Sequence, residues 1–525
     1  MKNRVVHCMW VVFAFAVLSS SGRAGTIGDL TYEIADGQVT ITNCKPWAEG
    51  ELVIPAEIED LPVTSIGDEA FSGCSSLTSI TIPDGVTSIG FGAFLFCSSL
   101  TSITIPDSVT RIESEAFSGC SSLTSITIPE GVTRIRQHAF RDCHSLTSIT
   151  IPDSVTSIED GAFSDCYSLT SITIPEGVTS IWYHAFWNCY SLTSITIPDS
   201  VTSNIGVRAF LGCISLTSIT IGNGVTGIDE WAFQGCSSLK SVTIGKSVAS
   251  IGYNAFIECS SLTSITIPES VISIGYNAFY GCSSLTSIAV ASGNSAYTSL
   301  GGVLLSKDRK ELLNYPAAKS GRDYTIPEGV TIIGDGAFSA CSSLTSITIP
   351  EGVTIIGYGA FSGCSSLTSI AIPEGVTSIG DFAFSWCISL TSIAIPEGVT
   401  SIGDWAFLDC SSLTSITIPL IFSSSSEAER IGISRLWPSG FRLPSNDSKI
   451  SIDVSKTSVA GISIQIPIIT LKGEVGMKGA IEFSETPNGP WEIWKSVTLE
   501  EGGTTKAHVS EYQQMRFYRF KVTDE

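Results

Sequence analysis

One unit of 23 residues, repeated with little change along most of the chain, constrains the fold more than any other feature. The segment CSSLTSITIPDGVTSIGFGAF, Cys74 to Phe94, recurs behind cysteines 74, 97, 120, 143, 166, 189, 213, 236, 259, 282, 341, 364, 387 and 410. The step is 24 residues once, where Asn204 is inserted, and 59 once, between Cys282 and Cys341. A chain of 525 residues exceeds what one hydrophobic core usually supports, and a fixed period of this length signals a stacked array. Within a unit, Leu77, Ile80 and Ile82 are apolar, while Ser79 and Thr81 are polar. This alternation predicts a short strand with one buried face. Pro83 ends it, Asp84 and Gly85 supply a turn, Val86 to Ile89 is a second extended piece, and Gly90 turns the chain again. Ala93 and Phe94 then bury one small and one large side chain. The unit is too small to cover its own apolar face, so stacking must build the core.

The run L-x-x-I-x-I-P matches the L-x-x-L-x-L signature of leucine-rich repeats. The tail V-T-S-I-G-x-x-A-F-x-x-C departs from the common type, with no Asn/Cys position past the turn and no convex helix. In this form the unit closely resembles the BspA-like, Treponema pallidum-type, leucine-rich repeats of bacterial surface proteins, over about Leu52 to Pro419. The resemblance implies a curved β-solenoid with a parallel sheet on one side. It also implies a surface-associated or released, adhesin-like protein that binds host, matrix or neighbouring-cell proteins.

The organisation expected is a signal peptide over 1–24, an N-terminal cap and degenerate first coil over 25–73, repeats over 74–419, a linker over 420–447 and a small domain over 448–525. Lys2 and Arg4 precede the apolar run Cys8 to Leu18, and small residues lead to a cut after Ala24. Cleavage removes three cations and moves the net charge from −22 to −25, which disfavours nucleic acid and anionic membranes. No transmembrane segment is expected in the mature chain. In the cap, Leu30 to Ile41 reads as a hairpin around Asp36 and Gly37. The long step holds a hairpin insertion at about 291–323, with arms Gly301 to Leu305 and Glu311 to Tyr315. Beyond 448 the alternating runs suggest a fibronectin type III-like β-sandwich. The fold class expected is thus a β-rich leucine-rich-repeat solenoid with a parallel sheet, plus a small C-terminal all-β domain.

The fourteen repeat cysteines and Cys44 leave an odd number in the mature chain. Stacked side chains point the same way, so a ladder of inert thiols is favoured over bridged coils. One cysteine per coil provides no paired C-x-x-C for zinc. The turn acids, such as Asp84, Glu130 and Glu176, form a solvated line. The columns of Ser79 and Thr81 would suit an ice-binding face only on a flat sheet. No cofactor, metal or catalytic constellation is expected, and the chain reads as not an enzyme; nothing supplies a strained Gly-x-Ser-x-Gly elbow.

In a repeat array, information lies where units differ. The unusual residues flank Ala-Phe and follow the cysteine: Arg136, His138, Arg141, His144, Tyr167, Trp182, Tyr183, His184, Trp187, Tyr190, Arg208 and Trp231. Arg111 and Arg134 replace serine on adjacent coils. Trp, Tyr and Arg are the types that anchor interfaces, so this basic, aromatic patch on an acidic rod is the expected docking surface. Its partner would be an extracellular protein or glycan at the cell surface or in the medium. A carbohydrate-recognising module that uses Trp491 and Trp494 of the C-terminal domain, and a structural spacer, are the alternatives.

Overall fold

The structure is a computed structural model that describes residues 23–419, 422 and 429–433 and, as strands, 450–459, 462–472, 478–484, 492–498, 504–508 and 517–522. The expected leader up to residue 22, and most of the expected linker, lie outside the described residues.

Most coils contribute two short strands and a turn segment, and residues 64–418 contain no helix. In the Cys74 coil the strands are Ser76–Thr81 and Ser88–Ile89. Coils pair in parallel and in register with the repeat: Ser79 opposite Ser102, Ile80 opposite Ile103, Ser125 opposite Ser148. A 23-residue step therefore lays every side chain on its own counterpart. Leu77, Val86, Ala93, Phe94 and Cys97 are fully buried, and their equivalents continue the same columns. The phenylalanine rings stack from Phe71 to Phe279 with centroids 5.1–5.9 Å apart. Where Asn204 is inserted, it bulges outward and bonds Asp229 and Thr226, while Ile205 keeps its place between Ile181 and Ile228.

The turn segment is also hydrogen-bonded from coil to coil. Glu69, Phe71 and Gly73 donate their N–H groups to the carbonyls of Phe91, Ala93 and Leu95, each at 2.7 Å. This ladder depends on backbone handedness. The residue before each Ala-Phe has φ between 53° and 62°, and the residue before each repeat cysteine has φ between 56° and 75°. Left-handed residues at these two places turn alternate N–H groups along the stacking axis, where the next coil accepts them.

All fifteen cysteines of the described residues are free and buried. Each regular thiol donates to the Phe carbonyl of the preceding coil, as Cys120 does to Phe94 and Cys166 to Phe140, both at 3.2 Å. Burial pushes Cys97, Cys213 and Cys282 up to about 12, which withholds the reactive thiolate. A column of threonine hydroxyls does similar work on the edge. Thr101 donates to the Thr78 carbonyl at 3.0 Å, Thr124 to Thr101 at 3.3 Å and Thr147 to Thr124 at 3.2 Å.

At the N-terminal end, Leu30–Ala35 and Gln38–Cys44 form the expected hairpin, with Asp36 and Gly37 left-handed. Arg23–Ile27 pairs on its outer edge, and Arg23 meets Glu59 at 2.9 Å. A cut after Ala24 would remove that ion pair and leave Gly25 to Ile27 paired. At the other end, part of the stretch expected as a linker serves as a last partial turn. Trp405 and Phe407 donate to the Arg430 and Ile431 carbonyls, and Ile431 and Ile433 are buried. The final coil would otherwise leave these N–H groups open. The strand Ile450–Val459 then pairs antiparallel with Ser415–Ile418, continuing the sheet. Ile462–Lys472 and Thr504–His508 extend it, while Lys478–Ser484 pairs with Glu492–Thr498 and Phe517–Val522.

The two arms of the expected hairpin pair with each other, and a further strand joins them. Tyr297–Leu300, Val303–Ser306 and Glu311–Asn314 form an antiparallel meander, and the last of these pairs in parallel with Ile332–Ile333. Glu311 and Leu312 thereby occupy a second-strand position, and Tyr315 takes the place of a ladder phenylalanine, stacked on Phe338 at 5.3 Å. Leu304 is buried with the coils before the insertion and Val303 with the coils after it, which divides the core into two blocks.

Candidate binding surface

The coil geometry assigns each expected patch residue to a column on the turn face. His138, His184, Arg208 and Trp231 occupy the left-handed position before Ala-Phe, with φ of 53°, 56°, 57° and 54°. Glycine holds the same position in other coils, at Gly92, Gly161 and Gly359. Bulky side chains are placed there against a steric penalty that glycine would avoid. Arg136 and Trp182 follow the second strand directly, and Tyr183 is one residue further on. Arg141 and Trp187 follow the phenylalanine, and His144, Tyr167 and Tyr190 follow the cysteine.

Stacking the coils brings these residues together. His144, Tyr167 and Tyr190 form a ladder of parallel rings, with centroids 4.5 and 4.9 Å apart. The His138 ring fits only because Gly161 has no side chain; a Cβ there would stand 2.4 Å from it. His184 tilts against Trp187 at 5.2 Å. The Arg208 guanidinium lies over Trp231 at 4.8 Å, and Trp231 meets Tyr253 edge-on at 5.3 Å. Trp182, Tyr183 and Tyr190 are exposed, the first two to about half of their surface, and Trp182 is steered by a 3.0 Å bond from Nε1 to Ser180 Oγ.

The electrostatics differ from the basic patch expected. Arg136 faces Glu113 at 3.2 Å, Arg134 faces Glu159 at 3.9 Å, and Arg141 and His144 lie 3.4 and 3.5 Å from Asp142. Acids on the same or neighbouring coils thus offset these side chains. Burial lowers the pKa of His138 and of His184, and the charges of Arg141 and Arg208 lower them further. Among the described residues, no three His, Cys, Asp or Glu side chains are grouped to hold a metal ion, and no helix is long and apolar enough to cross a membrane.

The BspA type leucine rich repeat region, as a family profile, matches residues 64–193, 180–300 and 317–428. The chain belongs to the BspA-type leucine-rich repeat family. It is similar to a solved leucine-rich repeat protein from Bacteroides ovatus, with 31% identity and a TM-score of 0.52 over 75% of this chain and 94% of that one. It is also similar to a leucine rich cell surface protein from Faecalibacterium prausnitzii, with 30% identity and a TM-score of 0.41 over 78% and 98% of the two chains. A leucine rich repeat protein from T. pallidum shares 32% identity at a TM-score of 0.34, over 37% of this chain and 91% of its own. No curated protein matches the chain.

The BspA-type coils carry a second aromatic set that the sequence reading passed over. Tyr358, Phe382 and Trp405 make edge contacts at 5.6 and 5.2 Å, in coils after the insertion. Phe382, Trp405 and Trp386 are again left-handed, with φ of 55°, 54° and 58°. The signal was the one used for the first patch, a large residue where other coils place glycine, serine or aspartate. Of the alternative sugar-binding pair, Trp491 lies outside the described residues, and only the strand backbone is described for Trp494.

Proposed function

We propose that this BspA-type chain is a secreted or cell-surface binding protein, adhesin-like, whose turn face between Arg136 and Trp231 docks an extracellular protein. One observation carries the reading. Trp182, Tyr183 and Tyr190 expose large rings on a single coil, beside the stacked rings of His144 and Tyr167 on the coils before it. Such a cluster offers wide contact area at small entropic cost. Most arginines of the patch sit in pairs with acids, so they orient a partner more than they attract one. The apolar N-terminal run supports export, and the surface placement extends what the Faecalibacterium relative is described as. The antiparallel strand pairings beyond residue 450 support a small fibronectin type III-like domain that spaces or anchors the array.

The test is a binding screen of residues 25–525 against matrix proteins and cell surfaces at two salt concentrations. A protein hit should weaken at least tenfold when Tyr183, Trp187 and Tyr190 are all changed to Ala, with the melting temperature nearly unchanged. Full affinity in that variant would refute the placement.

A further inference from the structure

The coil that holds the insertion is shortened on the turn face. Leu312 and Tyr315 are three residues apart, where the corresponding Ile89 and Phe94 are five apart. The coils on either side then approach each other across it. Gly336 comes so close to Asn277 that a Cβ would stand 2.7 Å from Asn277 Oδ1. Beside this contact lies a cleft of about 280 Å³. One wall comes from the coils before the insertion, with Tyr253, Asn254, Asn277 and Tyr280, and the other from coils about a hundred residues later, with Tyr358 and Trp386.

We propose that this cleft binds a neutral saccharide. Its lining combines flat aromatic rings with amides and hydroxyls and contains no charged side chain. Rings pack against the apolar C–H faces of a sugar, and amides and hydroxyls meet its O–H groups. Asn254 is 6% exposed, yet its Oδ1 has no hydrogen-bond partner, and Asn277 Oδ1 has none either. A buried acceptor without a donor is costly, and a small turn of these amides toward a bound sugar hydroxyl would relieve that cost. Ser362 and Ser385 share a 2.8 Å hydroxyl pair in the same lining, with lone pairs to spare. The volume is near the lower end of small-molecule sites and suits one or two sugar rings. Burial, and then the neighbouring Tyr253 and Tyr280, push the Tyr358 hydroxyl above its ordinary value, so it stays a neutral donor. The absence of lining charge separates this ligand from acidic glycans and from nucleic acid, both of which would need cations here. The site shares no lining residue with the protein-docking patch and meets it only where Trp231 packs edge-on against Tyr253.

The experiment is affinity electrophoresis and calorimetry of the full chain on a panel of neutral oligosaccharides, with acidic glycans beside them. The expected result is retention on at least one neutral glycan, insensitive to sodium chloride. Trp386→Gly should weaken it tenfold or more. This variant keeps the fold, because other coils place glycine at that left-handed position, as at Gly363 and Gly281. Asn254→Gly should weaken it similarly, whereas the Tyr183, Trp187 and Tyr190 triple variant should bind the glycan as before. No retention on any neutral glycan at millimolar concentration would overturn the proposal. So would retention on acidic glycans alone, or equal binding by Trp386→Gly.

Discussion

The turn-face patch over coils 136–231 and the cleft at the insertion are built from the same columns of the same repeat, yet they differ in what their side chains face. In the patch, most unusual residues pair along the stack: Arg136 with Glu113, Arg208 with Trp231, His144 with Tyr167 and Tyr190, although Arg141 Nε and Trp187 Nε1 lack a hydrogen bond. In the cleft, unusual residues face each other across a gap, and the amide oxygens of Asn254 and Asn277 stay unpartnered. A departure from the repeat is therefore not yet a site. A regular stack lets odd residues pair with their neighbours in adjacent coils, whereas a break in the stack leaves them facing space that a ligand can fill.

The largest effect that sharpens this contrast lies under the two surfaces. Phe163 stacks between Phe140 and Phe186, whereas Phe279, at the edge of the insertion, stacks on Phe256 at 5.9 Å. Phe163→Ala should cost about 3–5 kcal/mol. Phe279→Ala should cost about 1 kcal/mol less, for the missing ring contact. Urea midpoints of the two variants check this, and equal losses would mean that the break does not weaken the core locally.

A smaller effect should carry opposite signs in the two regions. Trp231 and Trp386 are both left-handed, at φ of 54° and 58°. Trp231→Gly relieves the backbone but gives up the Arg208 and Tyr253 contacts, for a net loss of about 1 kcal/mol. Trp386 stands 57% exposed in the cleft, so Trp386→Gly should raise stability by about 0.5–1 kcal/mol. Thermal or urea melts decide the signs, and a shared sign would remove the distinction between a paired and an unpaired ring.

The smallest effect is a pH dependence confined to the patch. Burial, reinforced by Arg141 and Arg208, lowers the folded-state pKa of His138 and of His184. As pH falls below the unfolded value near 6.5, the unfolded chain takes up protons that the fold resists, so stability declines. It declines until the lowered folded values are passed, and is fully restored above about pH 7. The double change of His138 and His184 to Asn should flatten this part of the profile between pH 7.5 and 5, as read by melting temperature. An unchanged slope would place the titration elsewhere. Sugar binding in the cleft should be flat over the same range, since its lining holds no histidine or acid.

The 23-residue period, the strand ended by Pro83, the buried Ala93 and Phe94, the hairpin at Asp36 and Gly37, and the family were all legible without coordinates. Each follows from local pattern and from a step that places like upon like, so one coil suffices to read the rest. The patch residues were also legible as departures, because their columns are set by distance from the cysteine. Their pairing was not: Arg136 meets Glu113 and Arg141 meets Asp142 through side-chain directions that the period leaves open. The handedness of the turn segment was hidden too. Only an inter-coil hydrogen-bond ladder requires φ near 55° at Trp231 and Phe382, where composition alone would have favoured glycine.

The sequence by itself determined that this chain is a stack, which residues form its columns, and where the stack is interrupted. Only the tertiary structure decided that the interruption shortens one coil, draws Gly336 against Asn277, and sets Tyr253 and Asn254 across a cleft from Tyr358 and Trp386. The reason is physical. A repeat encodes contacts between neighbouring coils at a fixed offset, whereas contacts across the irregular insertion have no fixed offset and depend on how the meander packs.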